Sequence, residues 1–385
     1  MREYWIPVAR SARLISGAAP VRLRILGENL VAFRSPSGVV GVLDEACPHR
    51  GASLALARNE DCGLRCIYHG WKFASDGSLR EAPTHRPETD LSRFPKRGYP
   101  VHEGQGIVWA WLGKGDAPAF PRLSFTDLPD DHVITSTAVL NCNWLHPLET
   151  LWDVFHAQIL HKQSNRASVR ADVYFSDSVR DADTDELRFD YPEMHVQRTP
   201  YGFTYANIDV AKQTEFHFIA PFIQHHATTP GIETDKALQI SVPIDDDHCL
   251  LWIIFYNRFG PLKPDGFAMK GLGELPDLNN FMKGMDDRRA ENFWGQNREA
   301  IDVGESFAGV TGMTGIALIL AEDVMAIESQ GRVARSAELL APTDRAVAEG
   351  RRTLVDAVKA YEAGSSPLGR DLDLSKVEAS FASRK

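Results

Sequence analysis

The sequence predicts an α+β protein with two domains: an all-β N-terminal domain, and a second domain whose antiparallel sheet is covered by C-terminal helices. Its 385 residues suffice for two or three domains. Short strand-like runs fill roughly the first 115 residues, and from about residue 278 the pattern becomes helical. We place the domains at 1–120, with a linker to about 130, and at 131–365. A polar tail at 366–385 is expected to be loosely held.

Each element is predicted from its apolar spacing. Residues 21–26 alternate, and residues 107–111 form an apolar run after a Gly-Gln-Gly turn. In the second domain, strand-like runs recur at 203–210, 215–223, 238–244 and 249–256. Three stretches then read as helices: the charge-rich 282–302, the apolar 314–330 and the amphipathic 343–362.

Composition excludes several classes of protein. A net charge of -10 and a pI near 5.7 argue against a nucleic-acid-binding surface. No stretch approaches the roughly 18 uninterrupted apolar residues of a membrane span, and the N-terminus lacks an apolar signal segment. The five cysteines do not suggest a disulfide framework. We therefore expect a cytoplasmic protein with no nucleic-acid and no membrane partner.

Two short segments combine Cys and His as metal-binding loops do. Cys47 and His49 form C-x-H, and Cys66 and His69 form C-x2-H further along. In a Rieske [2Fe–2S] centre, two thiolates bind one iron and two imidazoles bind the other, so each loop must supply one of each. Structural zinc also accepts this ligand set but usually pairs Cys with Cys and His with His. Zinc and four unrelated loop residues are the alternatives.

The segments CPHRGASL and CIYHGWKF resemble the Rieske domain of the ring-hydroxylating non-haem iron oxygenases, in their large catalytic subunit. Respiratory-type Rieske proteins carry an extra Cys in each loop, whereas Pro48 and Tyr68 lie inside the loops here. The resemblance spans nearly the whole chain. It implies two cofactors, a [2Fe–2S] Rieske cluster held by the two loops and a mononuclear Fe(II) in the second domain.

The second metal site is predicted within residues 143–161. The family's signature reads Asn-Trp, then Glu-Asn-x2-Asp-x2-His-x4-His, and Asp153, His156 and His161 match it. Thr150 stands where Asn is usual, which puts the role of that position in doubt. Two His five residues apart are rotated by about 140° on a regular helix, so we predict a disrupted helix at 157–160. Asp153 and His156 share a face, so the carboxylate can hydrogen-bond that imidazole or a neighbouring group.

A carboxylate must complete the two-His, one-carboxylate set of a non-haem iron(II) oxygenase site. Asp323 falls on the apolar stripe of the helix predicted at 314–330, where an acid is costly unless it is paired or metal-bound. Glu322 is rotated by about 100° and is expected to reach solvent more easily. The family likewise takes its third ligand from a late helix. One alternative is that Asp323 forms a helix salt bridge with Arg332 or Arg335. The other is that Asp302 or Glu299 is the iron ligand.

The resemblance implies a terminal oxygenase. The cluster takes electrons singly, and the iron activates O₂ against a small aromatic substrate. Because no GxGxxG dinucleotide loop occurs, a separate reductase, with or without a ferredoxin, is expected to supply the electrons. In the family, subunits form a head-to-tail ring, usually a trimer. There the Asp before the first His bridges the cluster of one subunit and the iron of the next, so the resemblance implies a catalytic role for Asp153.

The substrate class is also implied by resemblance. LDEACPHRGASL and residues 337–352 look most like the phthalate 4,5-dioxygenase branch, which is homomeric and includes aromatic O-demethylases. We expect cis-dihydroxylation of a carboxylated aromatic. O-demethylation or attack on a diaryl ether is the alternative on the same scaffold. A Rieske electron carrier or redox sensor is the alternative from another class, and it would not need His156.

Overall fold

The chain divides into two structural units. The computed structural model describes residues 1–95, 98–161, 193–208, 212–226, 235–263, 275, 277–332 and 335–383. One unit comprises residues 1–121 with 242–245, and the other comprises 122–241 with 246–385. All the described α-helices lie in the second unit.

The first unit is a set of small antiparallel sheets. Its strands are β1 Trp5–Arg10, β2 Val21–Ile25, β3 Glu28–Arg34, β4 Val40–Asp44, β5 Arg58–Glu60, β6 Gly63–Arg65, β7 Lys72–Phe73, β8 Leu79–Glu81, β9 Gly98–Tyr99, β10 Val101–Gly104 and β11 Ile107–Trp111. They pair in the orders β1-β11-β10, β2-β3-β4-β9 and β5-β6-β7-β8. The alternation predicted for β2 is real, since Leu23 and Ile25 are buried while Arg22 and Arg24 are exposed. These strands confirm the predicted all-β domain.

The second unit is organised on one large antiparallel sheet. Its strands are β12 Val133–Leu140, β13 Glu193–Thr199, β14 Gly202–Ile208, β15 Lys212–Ile219, β16 Ile223–His226, β17 Asp235–Pro243, β18 Cys249–Asn257 and β19 Ser380–Ser383. The order is β12-β18-β17-β16-β15-β14-β13, and β19 pairs with β15. Every residue of β18 is buried, as its continuous apolar run requires of a strand covered on both faces.

Among the described residues, five α-helices accompany this sheet. They are α1 Leu145–Trp152, α2 His156–Leu160, α3 Arg298–Asp302, α4 Gly315–Ser329 and α5 Arg345–Glu362. Short 3₁₀ turns lie at Ser11–Arg13, Leu54–Leu56, Leu91–Arg93, Asp130–His132, Ala290–Gly295, Arg335–Ala337 and Pro342–Asp344. No described helix combines the length and the apolar character needed to cross a membrane.

Two apolar clusters join the helices to the sheet. In the first, Ile316 and Leu320 of α4 pack against Leu251 and Ile253 of β18. In the second, α1 and α5 pack with the aromatic side chains of β14 and β15 around Trp152. Helices on an antiparallel sheet confirm the predicted α+β class. Both sets of packing contacts meet near the residues that the sequence analysis assigned to the iron site.

The helix predicted over 282–302 is wrong for most of its length. Only the single turn of α3 is α-helical there, preceded by a 3₁₀ segment. Phe293 and Trp294 both have φ of +53°, a left-handed conformation that a helix cannot continue. Trp294 packs against the apolar cluster around α4, so tertiary burial overrides the local helix preference of this segment.

The prediction of a loosely held tail is also wrong for its described part. Leu374 and Ala379 are buried, and the Leu374 N–H donates to the Arg122 carbonyl at 2.9 Å. β19 then adds to the sheet along β15. Burial of these apolar groups and strand pairing offset the entropy of ordering an otherwise polar segment.

Candidate metal centres

The two Cys–His loops of the first unit have the same backbone form. The N–H of Gly51 donates to the Cys47 carbonyl at 2.8 Å, and the N–H of Gly70 donates to the Cys66 carbonyl at 3.0 Å. Both glycines have positive φ, 75° and 74°, which they adopt without the steric cost that a Cβ would bring. The equivalent turns present Cys47 and Cys66 in equivalent positions, one from each loop.

The side chains of these loops converge on one place. Cys47 and Cys66 are buried, and the rings of His49 and His69 lie 4.4 Å apart at 77°. The Nδ1 atom of His49 is buried without a hydrogen-bond partner among the described residues, as a nitrogen reserved for a metal would be. Burial raises the pKa of the Cys47 thiol to about 11, and the adjacent Cys66 adds to that increase. Metal binding would therefore release thiol protons.

The arrangement does not suit a single zinc ion. Tetrahedral zinc holds its ligands at about 2.0–2.3 Å, so its ligand atoms lie within about 4 Å of one another. In the described part of the chain, such a group of three or more atoms within 4.8 Å forms only at His156, His161 and Asp323. Cys47 contacts Cys66, and His49 contacts His69, but no three of these four side chains form such a group. Two thiolates and two imidazoles on separate irons fit this spacing.

A second metal-ligating group lies in the second unit. The Nε2 atoms of His156 and His161 approach the Oδ1 atom of Asp323 at 3.3 and 3.0 Å. The two imidazole rings are 5.4 Å apart at 79°. Two His and one carboxylate on one side of a centre leave the other positions open, which is the arrangement of non-haem iron(II) oxygenases.

The helix is interrupted next to the two histidines, but the disruption predicted at 157–160 is wrong. α1 ends at Trp152 and α2 starts at His156, so the break covers 153–155 and not 157–160. His161 lies just beyond α2, in a non-helical conformation with φ of -97° and ψ of 14°. Because the break precedes both histidines, it does not set the angle between them; α2 runs from His156 to Leu160 and His161 follows its end.

The hydrogen bonds of the outer ring nitrogens show why this group fits a cation. His156 Nδ1 contacts the carbonyl of Asp153, and His161 Nδ1 contacts Glu322 at 2.7 Å. Because both acceptors need an N–H at Nδ1, both Nε2 atoms turn lone pairs towards Asp323. Burial lowers the pKa of His161, but Asp323 and Glu322 outweigh it and raise that pKa to about 10. A proton or a metal ion must therefore lie between the Nε2 atoms and the Asp323 carboxylate.

Asp153 stabilises the break directly. Its Oδ1 accepts hydrogen bonds from the backbone N–H of Phe155 at 2.9 Å and of His156 at 3.3 Å, which caps the start of α2. Its Oδ2 is 3.8 Å from His156 Nδ1, too far for a hydrogen bond. Of the two predicted partners of this carboxylate, the neighbouring groups and not the imidazole are the ones it bonds, and the Asp153 carbonyl contacts the imidazole instead. Burial raises the pKa of the Asp153 carboxyl, partly opposed by His156.

Glu322 is a residue that the sequence analysis misjudged. It was expected to reach solvent, but its side chain is 2% exposed and faces His161. The alternatives for Asp323 are excluded, because Arg332 pairs with Asp247 and Arg335 pairs with Glu149. The fallback ligands lie exposed on α3 and take no part in the group; they are Glu299 and Asp302. A Glu-Asp pair on a buried helix is the signal that could have identified both acids.

Thr150 takes a role inside its own helix. Its hydroxyl donates to the carbonyl of His146, four residues earlier in α1, at 3.0 Å. This hydrogen bond is typical of Ser and Thr within helices and needs no partner at the metal centre. The residue that departs from the family's signature therefore satisfies its own polar group locally.

Comparison with known proteins agrees with both centres. Residues 4–99 match the Rieske [2Fe-2S] domain, and residues 110–382 match the LigXa C-terminal domain like family. The oxygenase subunit of 3-chlorobenzoate-3,4-dioxygenase from Comamonas testosteroni is 36% identical over 96% of this chain and 87% of its own length. That of phthalate 4,5-dioxygenase from Pseudomonas putida is 34% identical over 96% and 84%.

The chain belongs to the Rieske oxygenase family. Its cofactors are accordingly a Rieske [2Fe–2S] cluster and a mononuclear iron. The fold is similar to that of the solved structure of Pseudomonas putida CBB5 NdmA with caffeine, with a TM-score of 0.63, 17% identity, and coverage of 94% of this chain and 92% of that one. The relatives of the chain include aromatic dioxygenases and an O-demethylase. The chain is therefore an oxygenase of the same general kind.

Proposed function

We propose that this chain is the terminal oxygenase component for an aromatic substrate, with iron held by His156, His161 and Asp323. The convergence of these three side chains within 4.8 Å is the observation that carries the proposal. Cys47, His49, Cys66 and His69 would hold the cluster. When bound, the cluster supplies single electrons and the iron activates O₂. Asp153 fixes the start of α2, and Glu322 holds His161 in one tautomer, so both keep the Nε2 atoms aimed at the metal.

The proposed substrate is a carboxylated aromatic, and the proposed reaction is cis-dihydroxylation. Two relatives that match nearly the whole chain are named for 3-chlorobenzoate and phthalate, which are both aromatic carboxylates. Aromatic O-demethylation is the second candidate. It is supported by 5,5'-dehydrodivanillate O-demethylase from Sphingobium sp., which is 32% identical over 67% of this chain and 58% of its own length.

The oxygenase would work with a separate reductase, with or without a ferredoxin, and as a homotrimer. In such a ring, Asp153 would bridge the metal centres of neighbouring subunits. Sedimentation or native mass measurement tests the trimer, and a monomer active at low concentration would rule it out. Reduction of the cluster by candidate reductases, followed by its absorbance, tests the electron supply.

Turnover with labelled O₂ separates the candidate reactions. Phthalate, 3-chlorobenzoate and methoxybenzoates would be offered with a reductase and NADH, with the matching aromatics that lack a carboxylate as controls. A cis-diol carrying both labelled oxygens supports dihydroxylation, and release of formaldehyde supports O-demethylation. The His156→Ala variant should lose turnover and keep the cluster spectrum. Unchanged function in this variant would instead identify an electron carrier.

A further inference from the structure

A partly buried carboxylate near the end of α1 is held by two arginines. Glu149 Oε1 accepts from Arg335 Nη2 at 2.6 Å and from Arg351 Nε at 2.9 Å. Its Oε2 accepts from Arg335 Nη1 and Arg351 Nη2, both at 2.9 Å. The Glu149 side chain is 11% exposed. Two bidentate pairs occupy the acceptor sites of the carboxylate and fix it far more firmly than a single surface contact does.

A second acid closes the set into a ring of four charges. Glu338 accepts from Arg335 Nη1 at 2.9 Å and from Arg351 Nη1 at 2.5 Å. We call Glu149, Arg335, Glu338 and Arg351 the α1 clamp. Its two acids and two bases balance, so it places no net charge near the metal ligands. A network of bidentate pairs is the case in which ion pairs hold geometry.

The α1 clamp holds the last turn of α1, which leads into the metal site. The carbonyl of Glu149 accepts the N–H of Asp153 at 3.0 Å. On the sheet side, Tyr205 donates to the Leu151 carbonyl at 2.6 Å, and Trp152 Nε1 donates to Gln224 at 3.1 Å. α1 has only 8 residues, too few to define its own end in water. Contacts from outside the helix therefore decide where its last turn lies.

Helix stability alone does not explain an acid at this position. A carboxylate in the last turn of a helix opposes the helix dipole, and Glu149 lies in the last turn of α1, which ends at Trp152. Arg335 and Arg351 reverse this cost. We propose that Arg335 and Arg351, acting through Glu149, are positioning residues for Asp153 and His156. This inference rests on the proposed iron site, although no clamp residue is among the metal ligands.

Metal binding to the chelator-treated protein, with the Rieske cluster left intact, tests the inference. Co(II) would be titrated into wild type, Arg351→Gln, Arg351→Lys and Glu149→Gln, and its visible absorption recorded. Arg352→Gln is the matched control, because Arg352 is the next residue on α5, is 68% exposed and, among the described residues, forms an ion pair with Glu349 alone, at 3.9 Å. Urea unfolding and the cluster absorbance would be measured for every variant.

Arg351→Gln and Glu149→Gln should weaken Co(II) binding by about tenfold, the lower end of the range for groups that orient metal ligands. They should also change the Co(II) absorption, which reports ligand geometry. Arg351→Lys keeps the charge but loses the bidentate fork, so it should recover less than half of the loss in log affinity. Arg352→Gln should match wild type.

A purely structural clamp gives a different result. Arg351→Gln and Arg351→Lys would then unfold at lower urea concentration, while Co(II) affinity and absorption stayed at wild-type values in the folded protein; this outcome overturns the inference. If Arg351→Gln does not fold, the comparison of Arg351→Lys with wild type decides in the same way. A wrong assignment of the iron site gives a third result, because wild type and His156→Ala would then bind Co(II) equally.

Discussion

Replacing Arg288 by Met should destabilise the second unit strongly. The guanidinium donates to Glu328 through Nε and Nη2, both at 2.8 Å. The two side chains are 2% and 1% exposed. Met has a similar length and no charge, so Arg288→Met removes the pair while filling much of the space. Glu328 would keep one hydrogen bond, from the backbone N–H of Asn141 at 2.8 Å.

The expected loss is about 3–5 kcal/mol, because breaking a buried pair leaves one charge uncompensated. Most of it arises from Glu328, so Arg288→Met with Glu328→Met should lose much less than the single variant. Arg289→Met is the control. Arg289 is 60% exposed and pairs with the exposed Asp287 at 3.0 Å, and such pairs contribute about 0–1 kcal/mol.

Urea unfolding followed by far-ultraviolet circular dichroism is the assay. The helical signal reports on the second unit, since the described α-helices all lie there. Arg288→Met should unfold at a clearly lower urea concentration with an unchanged slope. A loss below about 1 kcal/mol, or a double variant as unstable as the single one, would refute the reasoning that Arg288 neutralises a Glu328 carboxylate buried away from water.

Three further predictions concern other residues. His225 is buried, and burial lowers its pKa to about 3; the unfolded chain binds its proton near pH 6.5, so stability is lost as pH falls below 6.5, by about 2 kcal/mol at pH 5. His225→Gln should remove this part of the pH dependence of urea unfolding. Glu322→Gln should reduce the number of protons released when Co(II) binds at pH 7.5, which is near one in wild type, because Glu322 helps hold the pKa of His161 at about 10. Calorimetry in two buffers counts the released protons, and equal counts for the two proteins would contradict this role of Glu322. Gly350→Ala should cost about 1–3 kcal/mol in the same urea assay, because its Cβ would lie 2.4 Å from the Trp152 ring; Ala tolerated without loss would contradict this packing.

The cluster loops could be predicted from sequence because their information is local. Each loop supplies a Cys and a His within four residues, and each ends in a glycine with positive φ. The strand runs and the helices α4 and α5 were likewise readable from apolar spacing. These features depend on neighbours in the sequence, and so the periodicity of one segment is enough to indicate them.

The rest of the iron site depends on contacts between distant segments. His161 and Glu322 are 161 residues apart, and no local pattern indicates that these two side chains are partners. The disruption was predicted at 157–160 from the helical rotation between the two histidines, but the helix is interrupted at 153–155, before both of them. The Asp153 side chain, by capping α2, decides that position. The positive φ at Phe293 and Trp294 follows from tertiary packing in the same way.

The acids of α4 explain how an apolar helix obtains a unique position. An apolar stripe tolerates a slide by one turn, because one aliphatic side chain packs in place of another. Glu322, Asp323 and Glu328 do not tolerate it, since each meets a partner from a different segment: His161, both metal-ligating histidines, and Arg288. A slide would leave three carboxylates in or near the core without partners, at a cost of about 1–3 kcal/mol or more for each. The acids that form the metal site therefore also fix the register of the helix that carries them.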